Sequence, residues 1–249
     1  MISIRGGAGL GDSIYLCAIA AHLVREGHKV EACSNWLEVF KHTAVEVSPF
    51  RRERINRLAH YSARKGRVGS TQFQDCCASA LVKDVALTLP WVAAPVTIPR
   101  PYVCVQLPRS PMGRRDGFGK ELLPDCRKIQ QAIDMLRGRA TVVQIGAGQP
   151  LFKFTGIDID LANKTSVAGM IDVASQAEAF IGYPSFIVPL AEALDKRALL
   201  VWSRKGLASG TLYVRQITPQ KVIHKASSRW VIDNCNEATL RGEVDALFS

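Results

Sequence analysis

Short apolar runs alternate along this chain with longer runs in which apolar residues recur at helical spacing. Ile2 to Arg5 reads as a strand, and Ser13 to Glu26 as the helix after it. Lys29 to Cys33, Trp36 to His42 and Val45 to Ser48 then predict strand, helix and strand. This βαβαβ order implies a parallel sheet wrapped by helices. Beyond a basic stretch from Arg51 to Arg67, the pattern predicts a helix through Thr71 to Val82 and a short strand near Val85 to Leu89.

Prolines then interrupt the pattern. Pro90-Trp91-Val92-Ala93-Ala94-Pro95, with Pro99 and Pro101, suits a domain boundary, so residues 1–98 and 99–249 are expected to form separate units. The second series predicts strand Tyr102 to Leu107, loop Pro108 to Leu123, helix Asp125 to Leu136 and strand Thr141 to Ile145. Helix Ser166 to Ser175, strand Ala179 to Gly182, helix Val188 to Leu194 and strand Ala198 to Trp202 follow. A strand near Lys221 to His224 and a helix from Glu237 to Phe248 close the series. Ligands of open α/β sheets sit beyond the carboxyl ends of the strands, so the loops at Arg109, Gly146 and Ser185 are expected to converge.

The turn after the first strand, Gly6-Gly7-Ala8-Gly9-Leu10-Gly11-Asp12-Ser13, is the densest chemical signal. Glycines allow close backbone approach, and a helix start presents unpaired N–H groups and the positive end of its dipole. A Walker loop needs lysine where Asp12 stands, and the G-x-G-x-x-G fingerprint fails because its third glycine would also fall at Asp12. Nucleoside triphosphate hydrolysis and NAD binding are disfavoured. What remains is a glycine turn that delivers an ionised aspartate to a helix N-terminus, as a cap or as part of a site.

Composition narrows the classes further. The 249 residues are 47% hydrophobic, enough for a sizeable core. No apolar run approaches membrane-spanning length and no leader pattern opens the chain, so a cytoplasmic protein is expected, with a peripheral position at the inner membrane left open. The 7 cysteines, without C-x-x-C spacing, read as reduced core residues, and the 5 histidines lack paired-ligand spacing, so no protein-bound metal is expected. The formal net charge of +10 calls for an anionic partner. The excess gathers in two clusters: Arg51, Arg52, Arg54, Arg57, Arg64, Lys65 and Arg67, and then Arg109, Arg114, Arg115 and Lys120.

Taken in order, these features resemble a GT-B glycosyltransferase, and within that class the heptosyltransferase family, glycosyltransferase family nine. Gly9-Leu10-Gly11-Asp12-Ser13-Ile14 matches the family's G-x-G-D-x-[IVL] turn. The strand Tyr102-Val103-Cys104-Val105-Gln106 with its basic loop, the strand end Val143-Gln144-Ile145-Gly146, and the passage Leu161-Ala162-Asn163-Lys164-Thr165-Ser166 follow in the family's order. One loop departs: the family's D-S-G-x-x-H-x-A is replaced by Pro184-Ser185-Phe186-Ile187-Val188-Pro189-Leu190-Ala191.

The resemblance implies an α/β fold of two Rossmann-like domains whose parallel sheets face across a cleft. It further implies an inverting, metal-independent transfer from a nucleotide-diphosphate sugar to a hydroxyl, with no cofactor. Asp12 would be the general base. Arg109, Arg115, Lys120, Gly146, Gly148, Lys164, Thr165 and Ser185 would bind the donor, and Gly9, Gly11, Arg51, Arg52, Arg54 and Arg64 the acceptor. Glu192 is either a surface residue or a ribose contact. The anionic acceptor is either a glycolipid of the lipopolysaccharide type or nucleic acid bearing a hydroxymethylated base, with Tyr61 and Phe73 available for stacking. The alternative is a nucleotide-binding or nucleic-acid-binding module without turnover.

Overall fold

The computed structural model describes residues 1–49, 55–60, 70–109, 123–209 and 218–249. Two wholly parallel sheets organise them. The first has the order β3-β2-β1-β4, built from β1 (Ile2–Arg5), β2 (Val30–Cys33), β3 (Glu46–Ser48) and β4 (Arg57–Leu58). The second has the order β10-β9-β8-β5-β6-β7, from β5 (Tyr102–Gln106), β6 (Thr141–Ile145), β7 (Ile159–Asp160), β8 (Ala179–Gly182), β9 (Arg197–Trp202) and β10 (Ser228–Ile232). The α/β class and the paired parallel sheets expected from the alternation are therefore present. β5 is buried along its whole length, which explains its unbroken apolar run.

The helices are α1 (Leu10–Arg25), α2 (Gln72–Ser79), α3 (Cys126–Asp134), α4 (Val167–Gln176), α5 (Ile187–Ala193), α6 (Arg204–Ser209), α7 (Pro219–Val222) and α8 (Glu237–Asp245). Side-chain N-caps start several of them: Thr71 on α2, Asp125 on α3, Ser166 on α4 and Asn236 on α8. Burial around most of its circumference sets α1 apart, because it packs on the first sheet with one face and on α5 with another. The result is one hydrophobic cluster running from Ile4, Ile14 and Ile19 through Ile187, Leu190 and Trp202. A second cluster, with Val103, Ile129, Ile133, Leu240 and Val244, fills the far face of the larger sheet under α3 and α8.

Polar contacts reinforce the junction. Asp172 of α4 accepts from the Trp91 indole (2.8 Å) and the Ala94 amide (2.9 Å), fixing the proline-rich passage. Glu38 accepts from the Ala168 amide in the first turn of α4 (2.8 Å). Lys221 donates to the Ser70 carbonyl (2.8 Å).

Several elements differ from the expectation. α1 starts at Leu10 rather than Ser13, because Gly9 adopts the extended N-cap conformation and Asp12, now the third helical residue, turns back onto its amide. Trp36 to His42 forms only a 3-10 turn, Leu37–Phe40, and the Thr43 hydroxyl takes the Phe40 carbonyl (2.8 Å) that a longer helix would use. Val85 to Leu89 is no strand. Leu87 and Leu89 are buried there, but among the described residues the only ladder-like bond is Leu89 N–H to the Ala193 carbonyl.

β4 lies in the basic stretch, for which the sequence pattern predicts no element. Its pairing is too short to leave a period, and bonds from Asn56 to Ser3 and Ala59 to Arg5 extend it. Lys221 to His224 is no strand either: Pro219 opens the α7 turn, and the edge strand is β10. Phe73 is 1% exposed against Tyr15, a core residue rather than a stacking platform.

Candidate active site

The glycine turn leaves the carboxyl end of β1 and enters α1. Within it the Gly9 amide donates to Asp12 Oδ2 (3.1 Å), so the carboxylate folds back over the turn. Gly7 makes room for it: a Cβ there would stand 2.5 Å from Asp12 Cγ. Asp12 remains partly exposed.

The turn is clamped from the carboxyl end of β2. The Trp36 indole N–H donates to the Ala8 carbonyl (3.0 Å), and the Trp36 amide donates to Ser34 Oγ (2.9 Å). Ser34 and Ser13 hydroxyls lie 2.8 Å apart, and Ser13 donates to the Gly9 carbonyl (3.2 Å). Because the Ser13 proton points at Gly9, Ser34 is the donor between the two hydroxyls.

Gly11, on the far side of the same turn, faces the other half of the chain. A Cβ on it would lie 3.0 Å from Pro189 Cγ and 3.4 Å from Phe186 Cα, so only glycine lets α1 approach the start of α5 this closely. Asp12 and Ser185 are the chain neighbours of this contact.

On the second sheet the expected convergence is seen. Gln106, 1% exposed at the end of β5, donates through Nε2 to Ser185 Oγ (2.5 Å), and its Oε1 accepts from the Tyr183 amide (3.4 Å). The Tyr183 hydroxyl accepts from the Arg109 amide (3.2 Å) and donates to the Leu107 carbonyl (3.3 Å), and burial raises its pKa. The Arg109 guanidinium reaches the Ala147 carbonyl (3.1 Å) across Gly148. Gly146 (φ 122°) and Gly148 (φ 114°) occupy conformations that side chains rarely adopt. Asn163, itself at φ 60°, locks that turn by accepting from the Gly148 amide (2.7 Å) and donating to its carbonyl (3.1 Å).

Arg109, Gly146, Gly148 and Ser185 thus come together, and across the junction Gly11 meets Phe186 and Pro189 beside Ser185. Lys164 and Thr165 follow Asn163 in the chain: Lys164 donates to the Asp160 carbonyl at the end of β7 (2.8 Å), and Thr165 precedes the α4 cap. Glu192 is neither surface nor free. It is fully buried, it accepts from the His224 and Lys225 amides, and burial raises its pKa against the lowering effect of those bonds. Arg57, from the first basic cluster, donates to the Ala80 carbonyl behind α2 (3.3 Å). Arg51, Arg52, Arg54, Tyr61, Arg64, Lys65, Arg67, Arg114, Arg115 and Lys120 lie outside the described residues.

The sequence by itself assigned no functional role to Trp36, Ser34, Gln106, Tyr183 or Asn163. Gln106 carried a signal, a lone amide ending an apolar central strand. The others are joined to the site only by tertiary contact.

No protein-family model and no curated protein matches the sequence. Solved structures do match. The dodecameric, iron-containing glycosyltransferase TibC from enterotoxigenic E. coli H10407 superposes with a TM-score of 0.63 at 17% identity over 94% of this chain, which spans 63% of TibC. The ADP-heptose lipopolysaccharide heptosyltransferase II of E. coli gives 0.64 at 11% identity, covering 99% of this chain and 98% of that one. A family nine glycosyltransferase from Veillonella parvula gives 0.62 at 10% identity, over 93% and 85% of the two chains. The chain has the two-sheet fold of these glycosyltransferases.

This similarity corrects one expectation. A cofactor-free, metal-independent protein was anticipated, whereas TibC is iron-containing. The described residues do not fit such an ion, since no group of three or more His, Cys, Asp or Glu side chains among them is placed to hold a metal. No chemical step is therefore routed through iron. No described helix is long and apolar enough to cross a membrane.

Proposed function

We propose that this chain is a glycosyltransferase that moves a sugar from a nucleotide-diphosphate donor to a hydroxyl of an anionic glycan, with inversion at the anomeric carbon. One observation carries the reading: the glycine turn that holds Asp12 is seated on the Ser185–Phe186 loop of the other sheet, where Gly11 meets Pro189 and Phe186. Residues 1–98 would serve the acceptor and 99–249 the donor. TibC is described in complex with ADP-D-β-D-heptose, which makes an ADP-activated heptose the first donor to try.

In this mechanism Asp12 accepts the proton of the incoming hydroxyl while its oxygen attacks the anomeric carbon. The bond from that carbon to the diphosphate oxygen breaks on the opposite face, and the nucleoside diphosphate leaves toward Arg109, whose fixed guanidinium offsets the developing charge. The glycan is favoured over nucleic acid because an enzyme acting on lipopolysaccharide is among the similar folds. The 7 free cysteines suit a reducing compartment, the cytoplasm.

The test is release of ADP from ADP-D-β-D-heptose, with a lipopolysaccharide core oligosaccharide and a hydroxymethylcytosine-containing duplex as separate acceptors. Asp12→Asn is expected to lower oligosaccharide-dependent turnover by about 100-fold or more, while donor binding by calorimetry is retained. Turnover with the duplex alone would replace the acceptor class. A second reading, a nucleotide-binding module without turnover, draws on Pro189 standing where the family has histidine, with its ring against Gly11. Thermal stabilisation by the donor with no product from either acceptor would select it.

A further inference from the structure

We propose that Trp36 is a positioning residue for the Asp12 carboxylate, acting through the single peptide unit between Ala8 and Gly9. This rests on the reading of Asp12 as the base. The carbonyl of that unit accepts the Trp36 indole N–H (3.0 Å), and the N–H of the same unit donates to Asp12 Oδ2 (3.1 Å). A peptide unit is planar, so a side chain that fixes its carbonyl also fixes the direction of its N–H. Accepting a bond at the oxygen also polarises the unit and strengthens donation from nitrogen.

The surroundings make the indole the determining contact. Gly7, Ala8 and Gly9 carry almost no side chain, so they pack little surface of their own, and glycine backbone left alone samples many conformations. Trp36 is partly buried against the core, which holds the ring still, and its amide is fixed to Ser34. The Ser34–Ser13 pair secures the next carbonyl, that of Gly9 (3.2 Å from Ser13 Oγ). The Ala8 carbonyl is therefore held from the end of β2 and the Gly9 carbonyl from Ser13 of α1, while the Gly9 amide between them donates to Asp12.

Trp36→Phe keeps an aromatic ring and removes the donor. Turnover of ADP-D-β-D-heptose with the core oligosaccharide is expected to fall in kcat by about 10-fold, the worth of one net hydrogen bond, with donor KM changed by less than about 2-fold. Placed in the Asp12→Asn background, the same substitution should cost nothing more, as a double-mutant cycle requires of coupled residues. Equal losses in both backgrounds, or an unchanged kcat in the first, would overturn the proposal.

An NMR measurement that needs no turnover runs beside it. The Gly9 amide resonance should shift in Trp36→Phe, and the Trp36 indole N–H resonance should shift in Asp12→Asn; the second variant covers the case in which the first does not fold. An indole unmoved by Asp12→Asn would sink the link. Both shifts in the variants, beside a wild-type protein that releases no ADP, would instead strike down Asp12 as base.

Discussion

The Asp12 carboxylate fills the space where a Gly7 side chain would stand, with Cγ 2.5 Å from the position of a Cβ there. The Gly9 amide holds the same carboxylate at Oδ2, so a side chain at position 7 would compete for this pose. Gly7→Ala is expected to push the carboxylate off the Gly9 amide. Because the obstacle is the end of a side chain, the fold can give way cheaply. Oligosaccharide-dependent turnover should fall by about 100-fold, with the urea midpoint lowered by less than about 1 kcal/mol equivalent. A fully active Gly7→Ala enzyme would show that the pose is irrelevant.

Gly11→Ala should behave in the opposite way. Its Cβ would press on Pro189 Cγ at 3.0 Å and on Phe186 backbone at 3.4 Å, neither of which can swing aside. The helices α1 and α5 must separate, at an expected cost of about 1–3 kcal/mol measured by urea unfolding. Wild-type stability in this variant would mean that the junction is loose.

His224 ties the second half to α2. Its Nδ1 lies 3.2 Å from the Thr71 hydroxyl and its ring packs edge-on to Phe73. Burial, with Lys225 beside it, lowers its pKa from the ordinary 6.5. The folded state thus holds fewer protons than the unfolded state below that value, so this contribution to stability is present above pH 6.5 and is lost as pH falls toward the folded pKa. Urea midpoints taken between about pH 7.5 and 5.5 should drop less steeply for His224→Asn than for wild type. Parallel curves would remove His224 as a source of the acid dependence.

Thiol labelling provides a further check. Six of the 7 cysteines are buried and Cys235 is partly exposed. Burial pushes the Cys17 and Cys77 thiols up to about 12 and Cys126 up to about 11, leaving little thiolate near neutrality. A neutral disulfide reagent should titrate about one thiol quickly in the native protein and all of them after denaturation. Rapid reaction of several thiols in native buffer would contradict the packed core.

Legibility tracked how local each feature is. β1, α3, β5, β6 and β8 were readable because their apolar spacing is complete within a few residues, and buried parallel strands leave unbroken runs. The shortest pieces were not. β4 spans two residues, β7 spans two, and the stretch around Leu87 is apolar yet pairs with no strand among the described residues, since pairing depends on which neighbour is available rather than on side-chain type. The start of α1 was misplaced because glycine is a poor helix interior residue and Gly11 sits inside one, for a reason located on α5.

By itself the sequence determined the alternation of strands and helices, the parallel sheets, the glycine turn that ends in Asp12, and the loop in which Pro184, Phe186 and Pro189 flank Ser185 and Ile187-Val188. These are properties of spacing and residue type. Tertiary structure alone decided that Gly11 faces Pro189, that Gln106 holds Ser185, that Glu192 is buried under His224 and Lys225, and that an indole 28 residues away pins the Ala8 carbonyl. Each of those contacts joins residues on different elements, and the distance between elements is set by packing of the whole core, which no local pattern encodes.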